Sequence, residues 1–138
     1  MTYKKIFVDS DILLDLLLKR DSFFDHSQKL LKKSQEKTIK LYTSTLILAN
    51  VHYLIAKGTN KKTAKDSIKI LMGLLNVLSF DPDNISSAIN SEHVDFEDTI
   101  QFYIAEKHQC DLIISRNIKH YKKFDLPVLT TEQFLSTL

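Results

Sequence analysis

Short apolar runs that alternate with longer helical stretches constrain this chain more than any other feature of its sequence. The run at 5–9 is apolar with a β-branched bias, and 12–18 then packs leucines too densely for a one-faced surface strand. That order reads as a strand followed by a buried helix. The pattern recurs: 22–37 places Phe23, Phe24, His26, Leu30 and Leu31 at helical spacing among lysines, 39–43 alternates as a strand, and helices are expected over 44–57 and 61–76. Strands at 77–80, 112–115 and 127–129 complete the set, with helices to residue 90 and over 96–108 between them. Asp81-Pro82 and Asp95 are helix-start signals, Thr131 is expected to cap a last helix, and Gly58 to close the 44–57 helix in the left-handed conformation. Short buried strands joined by helices imply parallel pairing through crossovers, with helices on both faces of the sheet. The expected class is therefore α/β in three layers, and 138 residues suffice for one domain spanning 1–138.

Several functions are excluded by what the chain lacks. Its two glycines, Gly58 and Gly73, stand alone, so neither a dinucleotide-binding GxGxxG turn nor a GxxxxGK[ST] phosphate loop can be written. A single cysteine, Cys110, excludes an intramolecular disulfide, and no CxxC or HExxH spacing offers a zinc site, which suits a reducing, cytoplasmic setting. The early apolar stretch is interrupted by Asp9, Asp11 and Asp15, unlike a signal peptide or membrane span. The net charge of +2 conceals a skew: residues 1–40 carry +3, 41–80 carry +4, 81–110 carry −6 and 111–138 carry +1. A mildly basic body thus surrounds a concentrated acidic stretch.

In open α/β sheets, ligands bind beyond the carboxyl ends of the strands. Three such places carry suitable side chains. Asp9 emerges where the first strand ends and Asp11 opens the next helix, although Ser10 or Asp11 in a plain capping role accounts for the same residues. Asp95, Glu97 and Asp98 crowd a helix start, where one cap and the helix dipole explain two acids more readily than three. Ser115, Arg116 and Asn117 follow the fourth strand, and loop capping would again serve. Convergence favours function: adjacent parallel strands deliver Asp9 and Asn117 to one edge, and the Asp98 helix leads into the fourth strand. An oxygen-only cluster suits Mg²⁺ or Mn²⁺. Such an ion polarises a phosphoryl oxygen and lowers the pKa of bound water, chemistry suited to phosphodiester cleavage.

Four segments in order, Phe-Val-Asp-Ser-Asp-Ile-Leu-Leu-Asp at 7–15, Asp-Phe-Glu-Asp-Thr-Ile-Gln at 95–101, Asp-Leu-Ile-Ile-Ser-Arg-Asn at 111–117 and Pro-Val-Leu-Thr-Thr-Glu-Gln-Phe-Leu at 127–135, resemble the PIN domain over nearly the whole chain. The resemblance implies a PIN-like α/β/α fold with a parallel five-stranded sheet ordered 3-2-1-4-5. It also implies a Mg²⁺- or Mn²⁺-dependent ribonuclease, and for small members of this kind the VapC-type toxin of a bacterial toxin–antitoxin pair, often dimeric and inhibited by a small antitoxin. Carried over by position, Asp9 and Asp98 match family acids and metal ligands, Asn117 matches a position held by aspartate or asparagine, and Ser115 stands where threonine or serine is usual. The chain departs from the family at Asn50, which replaces a glutamate of the third helix. Asp11, in place of a common asparagine, supplies some of the missing charge, with Asp95 beside Asp98 as a further support. His120 stands where aspartate is frequent.

The expected substrate is single-stranded or loop RNA, with Arg116, Lys119 and Lys122 beside the site as backbone contacts, Lys123 nearby and Tyr121 placed to stack a base. Lys57, Lys61, Lys62, Lys65 and Lys69 form a second, less specific basic surface. Two other readings compete. A PIN domain weakened by Asn50 would bind RNA or protein without cleaving, and the 7–13 segment also resembles the DxDx[TV] nucleophile motif of haloacid-dehalogenase phosphatases, with Asp9 as nucleophile and Asp11 as acid.

Overall fold

Residues Ile6, Phe7 and Val8 are wholly or almost wholly buried in the computed structural model, which describes residues 2–93 and 95–138, and this fits β1 (Lys5–Val8) for the centre of the sheet. The sheet has five strands in the order β3-β2-β1-β4-β5, every neighbouring pair parallel, as the resemblance implied. Its other members are β2 (Lys40–Ser44), β3 (Asn76–Leu78), β4 (Leu112–Ile114) and β5 (Val128–Leu129). β4 is fully buried, since Leu112, Ile113 and Ile114 pack on both faces, and β1 is buried from Ile6 onward. The two edge strands, β3 and β5, are short and carry the least buried side chains, a common way to blunt an edge.

Register positions the site. Ile6 pairs with Leu112, Phe7 with Ile113 and Val8 with Ile114, so the chain leaves β1 and β4 at the same level. The Asp9 amide continues this ladder to the Ile114 carbonyl at 3.0 Å, and the Ser115 amide reaches Leu129 at 3.1 Å. Asp9 and Ser115 therefore lie side by side beyond the carboxyl edge.

The connecting helices are α1 (Ser10–Leu17), α2 (Phe24–Gln35), α3 (Thr45–Gly58), α4 (Lys61–Leu74), α5 (Pro82–Ile89), α6 (Phe96–Lys107), α7 (Ile118–Tyr121) and α8 (Thr131–Leu135). Local chemistry explains their starts. Ser44 caps α3 through Ile47, Asn60 caps α4 through Thr63, and Asp81 forms a reciprocal capping box with Asn84 under Pro82. Five of the aspartates and histidines that matter below sit on such boundaries or within one turn of them, at 9, 11, 95, 98 and 120.

Five expectations need correction. Neither Ser10 nor Asp11 caps α1: Asp9 does, its carboxylate accepting from the Ser10 amide at 2.8 Å. The cap of α8 is Thr130, boxed with Gln133, while Thr131 is buried in the first turn. Gly58 belongs to the last turn of α3, and neither glycine has a positive φ, because Asn60 starts α4 at once and no left-handed residue is needed. The second helix begins at Phe24, since Ser22 takes a φ of 72° that breaks the helix, and β3 begins at Asn76, leaving Phe80 outside it. The four-residue α7 has no side-chain cap and no periodic signal; it is pinned by Tyr121 and Phe124, the latter stacked on Phe102 with ring centroids 4.6 Å apart.

Candidate active site

Beyond the carboxyl ends of β1 and β4, acids from three elements approach one another. Asp9 ends β1, Asp11 lies in the first turn of α1, and Asp98 in the first turn of α6. Ser115 is fully buried and ties the first two: its hydroxyl donates to Asp9 Oδ2 at 2.9 Å and lies 3.4 Å from Asp11 Oδ2, while it accepts from the Asn117 amide at 3.0 Å. Asp11 Oδ2 also accepts from the Arg116 amide at 2.9 Å and the Asn117 side-chain amide at 3.4 Å. Thus Ser115 orients carboxylates and leaves no exposed oxygen of its own.

Across this junction, Asp95 caps α6 by accepting from the Asp98 amide at 2.9 Å. His120 Nδ1 stands 3.0 Å from Asp98 Oδ2, in ion-pair contact but without hydrogen-bond alignment. One donor atom each from Asp95, Asp98 and His120 falls within 4.8 Å of the others. In the sequence His120 is marked only as standing where the family frequently has aspartate, with no role assigned to it.

Electrostatics mark the acids as crowded. Burial raises the Asp9 carboxyl above its ordinary range, opposed by its bonds to Ser10 and Ser115. Burial, then the neighbouring Asp9 charge, pushes Asp11 up to about 6. Burial, then the charges of Asp95 and Asp9, pushes Asp98 up to about 6, with His120 pulling the other way. Asp9 and Asp98 therefore feel each other directly. Three oxygens here are buried and lack a hydrogen-bond partner: Asp11 Oδ1, Asp98 Oδ2 and the Tyr121 hydroxyl. Unpartnered carboxylate oxygens among like charges are what a divalent cation relieves, so the donor set fits such an ion.

The sequence expectation for Tyr121 is overturned. Its side chain is fully buried and cannot stack a base; the hydroxyl faces the carboxylates of Asp9 and Asp98, whose charges, after burial, raise its pKa far above the usual tyrosine range. Arg116 is also committed elsewhere. Its guanidinium donates to the buried Asp15 at 3.0 Å and lies 4.1 Å from the Phe23 ring centroid. Lys119 and Lys122 are exposed. Asn117 is exposed with its side-chain oxygen Oδ1 uncommitted, and Asn50 lies half-buried on α3 with no hydrogen bond to the cluster among the described residues. Beside Asn117 opens a cleft of about 460 Å³, whose walls include Ile12, Asp15, Phe23, Arg116 and Thr131.

Comparison with known proteins decides the family. A PIN domain model matches residues 5–119. The chain belongs to the PIN domain family. It is 31% identical over 139 residues to Ribonuclease VapC1 of Aquifex aeolicus (strain VF5), covering 97% of this chain and 95% of that protein. Among solved structures, this PIN fold resembles the DNA-bound VapBC of Salmonella typhimurium, with a TM-score of 0.72, 13% identity and coverage of 93% of this chain and 98% of the other. VapBC2 of Rickettsia felis, bound to a DNA fragment from its promoter, gives a TM-score of 0.68 at 16% identity, covering 91% and 97%. Family membership removes the phosphatase reading of Asp9 and Asp11.

Proposed function

We propose that this PIN domain is a divalent-metal-dependent endoribonuclease and the toxin of a type II toxin–antitoxin pair. The observation that carries the reading is the meeting of Asp9, Asp11 and Asp98 at one sheet edge with raised carboxyl pKa values and unpartnered buried oxygens. When bound, Mg²⁺ or Mn²⁺ supplies Lewis acidity and an acidified water for phosphodiester hydrolysis. In this reading Asp9 and Asp98 hold the ion, with Asn117 offering a neutral carbonyl oxygen. Ser115 and the Arg116 amide position Asp9 and Asp11, and Asn50 contributes at most a neutral oxygen.

The name of the Aquifex relative supports ribonuclease activity, and the VapBC neighbours support an antitoxin partner. Tyr53 and Leu54 on α3, with Ile70 and Met72 on the adjoining α4, expose apolar surface for that antitoxin or for a second copy in a homodimer. No helix among the described residues is long and apolar enough to cross a membrane, which accords with a toxin acting in the cytoplasm.

Lys119 and Lys122 are the proposed backbone contacts. Replacing both with alanine is expected to weaken single-stranded RNA binding at low salt and to reduce the slope of log affinity against log salt by roughly 1.4, about 0.7 per lost phosphate contact. Fluorescence anisotropy over a salt series reads this directly, and an unchanged slope would place the RNA elsewhere.

The replacement of glutamate by Asn50 keeps one second reading in view, a PIN domain that binds RNA without cleaving it. Incubating the purified chain with single-stranded and hairpin RNA in Mn²⁺, Mg²⁺ or EDTA separates the two. Metal-dependent cleavage is expected. Equal cleavage in EDTA rejects the metal mechanism, and RNA binding with no cleavage in either metal selects the second reading.

A further inference from the structure

We infer that His120 is a direct nitrogen ligand of the divalent ion, making this a mixed nitrogen and oxygen centre that discriminates for Mn²⁺ or Co²⁺ over Mg²⁺. The inference rests on the metal site proposed above and specifies its selectivity. The sequence alone points to oxygen donors, Asp9, Asp98 and Asn117. The folded chain instead gathers Asp95, Asp98 and His120.

Distance is the first argument. Two ligand atoms at neighbouring corners of an octahedron with bonds of about 2.1 Å are about 3.0 Å apart. His120 Nδ1 and Asp98 Oδ2 are separated by 3.0 Å. Opposite corners of that octahedron are about 4.2 Å apart, and the three donor atoms already lie within 4.8 Å of one another. Closing them onto one ion needs only side-chain rotation, which the exposed Asp95 and His120 can make. The Asp95 oxygen that caps α6 leaves the second oxygen for the ion.

Orientation and a neighbouring group supply the second argument. Asp98 Oδ2 is buried yet forms no aligned hydrogen bond with the imidazole it touches, as expected of two donors directed at a common point. The Tyr121 hydroxyl, in a fully buried side chain and likewise unpartnered, faces Asp98 and Asp9 from the protein side. The junction is thus lined with polar atoms that the chain itself leaves unsatisfied. A histidine–aspartate contact with the imidazole exposed and no aligned hydrogen bond contributes little to stability by itself. α7 places the imidazole, since the His120 amide bonds to the Asn117 carbonyl at 3.0 Å and Tyr121 anchors the same turn in the core.

The ligand type then sets selectivity. Mg²⁺ favours oxygen donors and gives up water reluctantly, whereas imidazole suits later first-row ions and Mn²⁺ accepts both. The test uses the full chain and its His120→Asn and His120→Asp variants, whose exposed side chains leave the core untouched, with folding checked by circular dichroism. Pulsed electron paramagnetic resonance of bound Mn²⁺ is expected to report a ¹⁴N coupling in the natural chain that both variants lose. Calorimetric titration is expected to give a Mn²⁺-to-Mg²⁺ affinity ratio about tenfold lower in His120→Asn. Bound Mn²⁺ without nitrogen coupling, or a coupling that persists in His120→Asn, overturns the role of His120 while the oxygen-ligand site stands. Failure of the natural chain to bind Mn²⁺ overturns the metal site itself.

Discussion

Asp98→Asn is expected to lower metal-dependent RNA cleavage by about 100- to 1,000-fold, the loss of several kcal/mol of transition-state stabilisation, and at the same time to raise the stability of the metal-free protein near neutral pH. Both effects come from one charge. The Asp98 carboxyl is raised to about 6 by burial and by Asp95 and Asp9, so its ionised form is disfavoured in the native state more than in the unfolded chain. The native state then holds the proton at pH values where the unfolded chain, with an ordinary carboxyl near 3.8, has released it. Stability from this group is fully present below about 3.8 and is lost as pH rises through about 6. Asp11, also raised to about 6, acts in the same direction. Asparagine removes the unfavourable charge without touching the Asp95 cap, which binds the backbone amide of residue 98. Allowing for solvent screening of this partly exposed group, the gain is about 1 kcal/mol, a few degrees in Tm. Thermal melts in EDTA should show Asp98→Asn above the natural chain at about pH 7.5, with the gap narrowing as pH falls through about 6 and closing below about 3.8, where the unfolded chain is protonated as well. Adding Mn²⁺ at the higher pH should raise the Tm of the natural chain and leave the variant nearly unmoved. A gap that persists at low pH would show that the variant acts through packing.

The parts of this site visible in the sequence follow simple positional rules. Asp9 and Ser115 could be read because buried apolar runs, residues 6–8 and 112–114, end immediately before them, and parallel pairing of β1 with β4 brings such ends together. Asp98 was legible as one acid more than a helix start requires. His120 and Tyr121 were not, for a physical reason: α7 is four residues long, too short for periodicity and without a cap, and its placement depends on Tyr121 and Phe124 packing against distant Phe102. A tyrosine among lysines reads as a surface residue until that long-range packing is known. The start of the last helix carries its own signal: Thr130 and Gln133 have the spacing of a capping box, whereas Thr131 has Phe134 three residues on and no such partner. Arg116 illustrates the opposite difficulty, since an arginine after a strand looks like a phosphate contact unless its buried partner, a full turn into α1, is seen.

That partner makes Arg116→Ala the most destabilising surface substitution expected here, at about 2–4 kcal/mol. Asp15 is 1% exposed, and its Oδ1 accepts from Arg116 at 3.0 Å and, more weakly, from Arg20 at 3.5 Å; Oδ2 has no partner. Removing one member of a buried ion pair leaves an uncompensated charge, a larger penalty than the pair's own net contribution. Arg20 persists as a longer contact and keeps the cost below the full value. The substitution also strips the guanidinium from the Phe23 ring and leaves that ring uncovered beside the cleft. Urea denaturation is expected to register the loss, with a fall in Tm on the order of 10 °C. Adding Asp15→Asn should recover much of it, because the buried group is then neutral and the missing guanidinium no longer leaves a charge behind. If Arg116→Ala instead leaves the urea midpoint unchanged and weakens RNA binding with a smaller salt slope, the guanidinium serves phosphate in solution, and Asp15 is held by Arg20 alone.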